Sequence, residues 1–324
     1  MKIRIRSRDL DISMENQKTK LMIIAGPTAV GKTSASIKIA QKLGGEIISA
    51  DSMQVYRGMD IGTAKITPEE TGGIRHHLID ICEPEEDFNV VRFKDLAREA
   101  VTDISSRGKL PIVVGGTGFY IQALLYDIDF TEYDDETSES VRAKILERFG
   151  GDASEMHRYL ASFDPESAAI IHMNNKKKVL HAIEYYEITG RKISDHNSEE
   201  RAKESPYDFK YFVITDDREE IYKRIDKRVD AMMSAGLVDE VKALRARGLT
   251  QKNISMLGLS YKEIDDFLNG LIPLEEAVRL IKRDTRHFAR KQLTWWKREK
   301  EITYVDRRDF KDEEAMTAFM CSVF

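Results

Sequence analysis

The sequence predicts an α/β protein in which a parallel sheet is flanked by helices and interrupted by a helical insertion. Three observations carry that prediction. Short apolar runs alternate with helical stretches through the early part of the chain, the order expected of a parallel sheet covered by helices. A glycine-rich segment joins the first apolar run to the first helix. From about 131 to 205 the texture becomes charged and helical, and a further apolar run then appears at 209–215.

The elements follow in order. KLMIIAG at 20–26 is a short apolar run ending in glycine and reads as a buried strand. Ala35, Ile39, Ala40 and Leu43 give a helix over 32–43, stopped by Gly44-Gly45. EIISA at 46–50 is a second strand, and a looser stretch runs from Asp51 to Asn89. Val90, Phe93, Ala97, Ala100 and Ile104 recur at spacings of three or four, as one face of a helix does. LPIVVGG at 110–116 is the next strand, followed by a helix from Thr117 to Tyr126. FKYFVIT at 209–215 returns as a strand, then a helix carries Ile221, Ile225, Val229 and Met232, and the chain stays mainly helical to about 300. These readings assign the core to 19–130 and 206–324 and the helical insertion to 131–205. Residues 1–18 form an N-terminal extension expected to be flexible, with Met14 an alternative start.

The 324 residues fit about two domains, and 33% charged with 41% hydrophobic side chains exclude a collagen-like or disordered chain. Fifty-one basic and 56 acidic residues leave a net charge of −5, which excludes a uniformly basic protein but not a basic face. Cys82 and Cys321 make neither a disulfide framework nor a Cys-x-x-Cys site, as expected in a reducing cytosol. No apolar run reaches the roughly 18 residues of a membrane helix, and the charged N-terminus lacks a signal core. A cytoplasmic protein without membrane contact is expected.

The glycine-rich segment is Gly26-Pro27-Thr28-Ala29-Val30-Gly31-Lys32-Thr33, or G-x-x-x-x-G-K-T, between a strand and a helix. Its backbone N–H groups converge on phosphate oxygens, the helix start adds positive potential, Lys32 adds a full charge, and the Thr33 hydroxyl is placed for Mg²⁺. A bare glycine turn is the bland alternative. The motif makes the core P-loop NTPase-like and specifies a phosphate chain rather than ATP. The strand Ile112-Val113-Val114 ends in Gly115-Gly116 instead of an aspartate, which argues against an ATPase and leaves a kinase open.

Asp51 directly follows the second strand, at the end that faces the ligand crevice of such a sheet. Three readings stand open on chemistry alone: support for Mg²⁺, general base beside the phosphates, or cap of the next turn.

Several segments together resemble one family. GPTAVGKT, ISADSMQVYRGMDIGTAK at 48–65, HHLID at 76–80 and GGTGFY at 115–120 are similar to the tRNA dimethylallyltransferases (tRNA isopentenyltransferases), as are GRKIS at 190–194, RIDKRVDAMMSAGLVDEV at 224–241, SMLGLSYKE at 255–263 and ARKQLTWWKR at 289–298. The resemblance runs from about Leu21 to Arg298. It implies transfer of a dimethylallyl group from dimethylallyl diphosphate to the exocyclic amine of the adenosine 3′-adjacent to the tRNA anticodon. It also implies that the insertion grips the anticodon stem and that residues 26–33 hold the diphosphate. On this resemblance Asp51 is the general base, Thr117 a polar partner at the reacting centre, and Arg224 and Arg228 diphosphate ligands. Asp51, Ser52, Met53 and Gln54 read the target nucleotide; a Gln54 amide suits a base edge. The lone cysteines do not build the zinc finger that eukaryotic relatives often carry, so the resemblance is to the bacterial type. HHLID reads as a structural element near the crevice rather than a metal site.

Two basic groups suit RNA backbone. Arg279, Arg283, Arg286, Arg290 and Lys297 share one helical face, diluted only by Asp284 and Glu299, while Ile281, Phe288 and Trp295 repeat every seven residues on a face read as core. On the insertion the candidates are Arg142, Lys177, Lys178 and His181; family members often carry arginines near Lys178 and His181, and this chain departs there. A monomer is expected. The rivals are an adenylate isopentenyltransferase, which lacks a use for the insertion and basic stripe; a small-molecule or nucleotide kinase, which leaves DSMQVYRGMDIGTAK unexplained; and a non-catalytic RNA-binding protein, against which Lys32, Thr33, Asp51 and Thr117 speak.

Overall fold

A computed structural model describes residues 18–129, 135–299 and 301–324. All but Lys18 of the N-terminal extension, and residues 131–134 of the insertion, lie outside the described residues.

The chain runs β1 (Thr19–Ala25), α1 (Lys32–Leu43), β2 (Gly45–Ser49), β3 (His76–His77), α2 (Val90–Ser106), β4 (Leu110–Gly115) and α3 (Gly118–Leu125). Five helices follow: α4 (Asp135–Phe149), α5 (Ala153–Phe163), α6 (Pro165–Ile170), α7 (Lys176–Thr189) and α8 (Ile193–Ala202). The chain then returns with β5 (Tyr207–Thr215), α9 (Arg218–Ser234), α10 (Leu237–Ala246), α11 (Tyr261–Leu268), α12 (Leu274–Trp296), β6 (Ile302–Asp306) and α13 (Glu313–Ser322).

The strands form one six-stranded sheet in the order β3-β2-β4-β1-β5-β6, and every pairing is parallel. The sequence prediction of a parallel sheet flanked by helices holds. β1 lies between β4 and β5, with neighbours on both edges and helices on both faces. That burial explains its unbroken apolar run: Leu21 through Ala25 are solvent-free. Ala25 stands opposite both Gly115 and Val213, and Ser49 opposite Val114. The carboxyl ends of β2, β4 and β1 therefore finish level at one edge of the sheet. This is where an open parallel sheet takes its ligand.

The helices bury the faces their sequences announce. α1 buries Ala35, Ile39 and Ala40 and ends at Gly44, in the left-handed conformation, whose N–H returns to Ala40 O. α2 starts at Asn89, whose side chain accepts the Arg92 N–H, and buries Phe93, Ala97, Ala100, Val101 and Ile104.

Helix α12 departs from expectation. Ile281 is buried, but Phe288 is 40% exposed, and Trp296 rather than Trp295 is the fully buried tryptophan. A seven-residue step slips back about 20° per repeat on an α-helix. The buried positions Ala277, Ile281, Ala289, Gln292 and Trp296 step mostly by four or its double, carrying the stripe the other way.

Strands β3 and β6 were not expected. β3 has two residues, and β6 is an edge strand with only Val305 buried, so neither shows an apolar run. The chain divides into two compact units, one formed by the residues up to Leu125 with Pro206–Phe324, the other by Tyr126–Ser205. The second unit has its own core of Ile145, Met156, Leu160, Val179, Ala182 and Ile183. Among the described residues no helix is long and apolar enough to cross a membrane.

Candidate active site

The loop from β1 to α1 wraps the start of the helix. Ala29 sits at φ 62°, a left-handed conformation that costs an alanine roughly 1–3 kcal/mol and tends to cluster at ligand-binding loops. Gly31 caps α1 without a side-chain hydrogen bond, and the Arg307 guanidinium lies beside it. Lys32 Nζ donates to Gly26 O and Pro27 O, both at 2.9 Å. Lys32 keeps some solvent contact, yet its ammonium is folded against these carbonyls. Burial first, and then Arg228, lower its pKa to about 7, while Asp51 works in the opposite direction. The Thr33 side chain is exposed in the first turn of α1.

This loop forms one wall of a cleft of about 230 Å³, lined by Ala29, Val30, Gly31, Arg224, Arg228, Arg307 and Glu313. Arg224 and Arg228 lie one turn apart on α9, beside its buried seam of Ile221, Ile225 and Val229. Arg228 Nη1 donates to Thr28 Oγ1 at 3.3 Å. Arg224 Nη2 donates to Asp216 Oδ2 at 2.5 Å, and its Nε is buried without a partner among the described residues. Arg307 Nη1 donates to Val30 O at 3.2 Å, with Glu313 at 3.5 Å. The cleft thus gathers three guanidinium groups around the loop, two of them held by carboxylates that an incoming polyanion would displace.

Asp51 and Thr117 stand at the adjoining strand ends. Ala50 N–H donates to Val114 O at 2.8 Å, and Thr117 N–H to Ala50 O at 3.3 Å. A Cβ on Gly115 would fall 2.2 Å from Ala50 O, so glycine is what lets β2 and β4 close together here. Asp51 Oδ1 accepts the N–H of Met53 at 2.9 Å and of Gln54 at 3.4 Å. Capping occupies one oxygen only; among the described residues Oδ2 has no hydrogen-bond partner. The Thr117 carbonyl accepts the N–H groups of Tyr120 and Ile121, starting α3.

The motif after Asp51 is held by part-buried polar contacts. Gln54 accepts from Ser49 Oγ at 3.2 Å and donates to Thr63 O and Ala64 O at 3.4 Å, so its amide is already engaged within the fold. Met53 packs on the Gly258 backbone, and Ser52 is half-buried beside it. Glu240 accepts the backbone N–H groups of Asp60, Ile61 and Gly62 and the Tyr261 hydroxyl. His77 Nε2 meets Glu46 at 2.8 Å, at the start of β2. HHLID runs on parallel to β2, and its last residue, Asp80, donates its N–H to Gln54 O at 3.2 Å and accepts from Lys65 Nζ at 2.6 Å, so the segment ends as a structural support beside the loop that follows Asp51, as the sequence suggests.

The basic groups are less bare than their sequence suggests. On α12, Arg279 pairs with Glu276, Arg283 with Asp284, and Arg286 with Asp226 of α9 at 3.1 Å. Glu276 lies outside the window read for charge dilution, so the stripe carries more internal pairing than expected. Arg290 and Lys297 are exposed. In the insertion, Arg142 Nε donates to the buried carboxylate of Glu184 at 2.9 Å, and His181 lies 3.7 Å from it. Lys177 and Lys178 are exposed in the first turn of α7. Cations there oppose the helix dipole, so local helix stability does not explain them.

The structure thus gathers the loop residues, Asp51, Thr117, Arg224 and Arg228 at one edge of the sheet. The insertion residues lie in the other unit. Sequence reasoning missed Arg307, which follows an edge strand without an apolar signal. It also missed Gln292, a lone amide on the buried face of α12.

The family profile described as IPP transferase matches residues 54–299. A tRNA dimethylallyltransferase of Lachnoclostridium phytofermentans is 54% identical over 303 residues, covering 94% of this chain and 96% of the relative. The crystal structure of a tRNA delta(2)-isopentenylpyrophosphate transferase from Staphylococcus epidermidis matches with a TM-score of 0.70 at 43% identity, covering 94% of this chain and 98% of that one. A eukaryotic dimethylallyltransferase acting on tRNA matches with a TM-score of 0.76 at 31% identity, covering 89% of this chain and 74% of that one. With a profile match over most of its length and relatives of this identity along nearly all of it, the chain belongs to the IPP transferase family.

Proposed function

We propose that this chain transfers a dimethylallyl group from dimethylallyl diphosphate to the exocyclic amine of the adenosine 3′-adjacent to the anticodon of a tRNA, releasing diphosphate. One observation carries the proposal: an Asp51 carboxylate oxygen with no hydrogen-bond partner among the described residues shares a sheet edge with a cationic, loop-walled cleft.

The loop amides, Lys32, Arg224 and Arg228 hold the diphosphate and oppose the negative charge that builds on it as the allylic C–O bond breaks. The adenine amine is a poor nucleophile because its lone pair is delocalised. As its nitrogen bonds to the allylic carbon, Asp51 Oδ2 takes the proton, assistance worth about 10²–10⁴-fold. Thr117 offers its hydroxyl beside the amine. The target base must leave its stack to reach these groups, and a single-stranded anticodon loop lowers that cost.

Magnesium fits the donors present. The Thr33 hydroxyl is exposed at the helix start, and among the described residues no group of three His, Cys, Asp or Glu is arranged to hold a metal. Such a set suits a hard cation carried mainly by diphosphate oxygens with Thr33, where it would neutralise charge on the leaving group.

For tRNA, the reading assigns phosphate contacts to Lys177, Lys178, His181 and Arg142 of the insertion and to Arg283, Arg286 and Arg290 of α12. Asp51, Ser52, Met53 and Gln54 face the target nucleotide, with Gln54 exchanging its long internal hydrogen bonds for the base edge. The chain acts as a cytoplasmic monomer. The test incubates purified protein with labelled dimethylallyl diphosphate, Mg²⁺ and either unmodified tRNA, AMP or ATP. Label in tRNA is expected; label in AMP or ATP alone, or in none, overturns the reading.

A further inference from the structure

Gln292 is the one amide on the buried stripe of α12, and it is 6% exposed. Its Oε1 accepts the backbone N–H of Thr28 at 2.9 Å, and its Nε2 donates to the backbone carbonyl of Gly116 at 2.9 Å. The β1–β4 ladder ends at Ala25 opposite Gly115, and beyond that point the two chains diverge into separate loops. The amide supplies the next link between them. A Cβ on Gly116 would stand 2.2 Å from Nε2, so a side chain there would push the amide out.

The chemistry of the link is specific. One end requires an acceptor for an N–H and the other a donor for a carbonyl. A primary amide provides both, an ionised carboxylate only accepts, and a thioether of similar length does neither. Thr28 is held a second time through its hydroxyl, which accepts from Arg228 at 3.3 Å. Because its N–H is committed to Gln292, the amides left for an anion begin at Ala29.

We infer that Gln292 is a positioning residue that sets the separation between the diphosphate-holding loop and Thr117, the residue after Gly116. The inference rests on the proposed transfer. That reaction needs the leaving group and the attacking amine at a fixed spacing, and a 1 Å misplacement of reacting groups costs on the order of 10²-fold. Gln292 touches neither substrate; it acts through the two backbones it joins.

The test is Gln292→Glu, assayed for kcat and KM against wild type from pH 8.5 to pH 5.5. The ionised side chain accepts from Thr28 but repels the Gly116 carbonyl; once protonated, it donates to that carbonyl and restores the link. The expected kcat at pH 8.5 is about 10²-fold below wild type, with KM for both substrates little changed. The variant-to-wild-type ratio climbs severalfold as pH falls. A ratio independent of pH, whatever its size, overturns the inference. Absence of transfer by the wild-type chain overturns the functional reading and the inference together, whereas wild-type transfer with a flat ratio sinks the inference alone. Should the glutamate variant not fold, Gln292→Met decides: a kcat loss of tenfold or more at unchanged KM and unchanged folded fraction supports the role, and anything less overturns it.

Discussion

Asp51 Oδ1 accepts the Met53 amide at 2.9 Å, which turns its carboxylate so that Oδ2 is left without a partner among the described residues. Capping thus occupies one oxygen of the side chain, and the proposed proton transfer falls to the other. Asp51→Asn keeps an oxygen for the Met53 amide and removes the base. Its kcat is expected to fall by about 10²–10⁴-fold with tRNA affinity unchanged. Asp51→Ala loses the cap as well and should unfold at lower temperature, by about 1 kcal/mol of stability. Normal turnover by the asparagine variant, measured with labelled donor, refutes the base assignment.

Arg224 is the guanidinium with most to gain from an anion, since its Nε is buried without a partner among the described residues while Nη2 rests on Asp216. Arg224→Ala should weaken inorganic diphosphate binding by about 10–150-fold, the value of a charge-assisted hydrogen bond of about 1.5–3 kcal/mol. Titration calorimetry checks it, and an affinity within threefold of wild type counts against a role in the cleft.

Lys32 gives a pH signature. Its pKa is near 7 in the folded chain against an ordinary 10.5, chiefly through burial. At pH 8 most of it is neutral, and a bound diphosphate favours the ammonium, so binding should take up a proton. Calorimetry in buffers of different ionisation enthalpy measures this directly. Between about pH 7 and pH 10.5 the unfolded chain binds more protons than the folded one, so this group's contribution to stability rises with pH. The penalty is fully present below pH 7. Lys32→Met should therefore stabilise the protein most at pH 6–7, with the gain fading toward pH 10; a pH-independent gain contradicts the shift.

Much of this was legible beforehand. β1, α1, α2 and β4 announce themselves because their burial is one-sided or complete, and residues 26–33 because their G-x-x-x-x-G-K-T spacing stands between a strand and a helix. β3 and β6 carry too few buried residues to leave a periodic trace. Gln292 looked like one more polar residue in a basic helix, since its partners lie 264 and 176 positions away. The pairing of Arg279, Arg283 and Arg286 was hidden for a related reason: counting charges does not say which of them meet.

Those pairs govern how the stripe should respond to mutation. Arg290 is exposed at the α12 surface, whereas Arg286 is tied to Asp226 and lies over the Tyr222 ring. Arg290→Ala should lower tRNA affinity and reduce the slope of log K against log salt by about 0.7–0.9 for each phosphate the arginine neutralises. Arg286→Ala should also destabilise the α9–α12 packing, seen as a lower melting temperature without tRNA. An Arg290 variant with an unchanged salt slope removes it from the RNA interface.

Glu240 holds three successive backbone N–H groups, those of Asp60, Ile61 and Gly62, at 2.8–3.0 Å, and takes the Tyr261 hydroxyl at 2.7 Å. Four donors converge on one carboxylate, so its charge is compensated within the fold. Replacing it by glutamine puts an NH₂ group where at least one N–H points. Breaking a charge-assisted hydrogen bond of this kind costs about 1.5–3 kcal/mol. The loop it anchors carries the Thr63 and Ala64 carbonyls that receive the Gln54 amide. Glu240→Gln should therefore lower the melting temperature and speed amide exchange at residues 60–62. Because Gln54 loses its inner support, KM for tRNA should rise while affinity for diphosphate holds. Loss of diphosphate affinity instead would place the effect of Glu240 in the cleft beside residues 26–33 and not in the loop proposed to face the nucleotide.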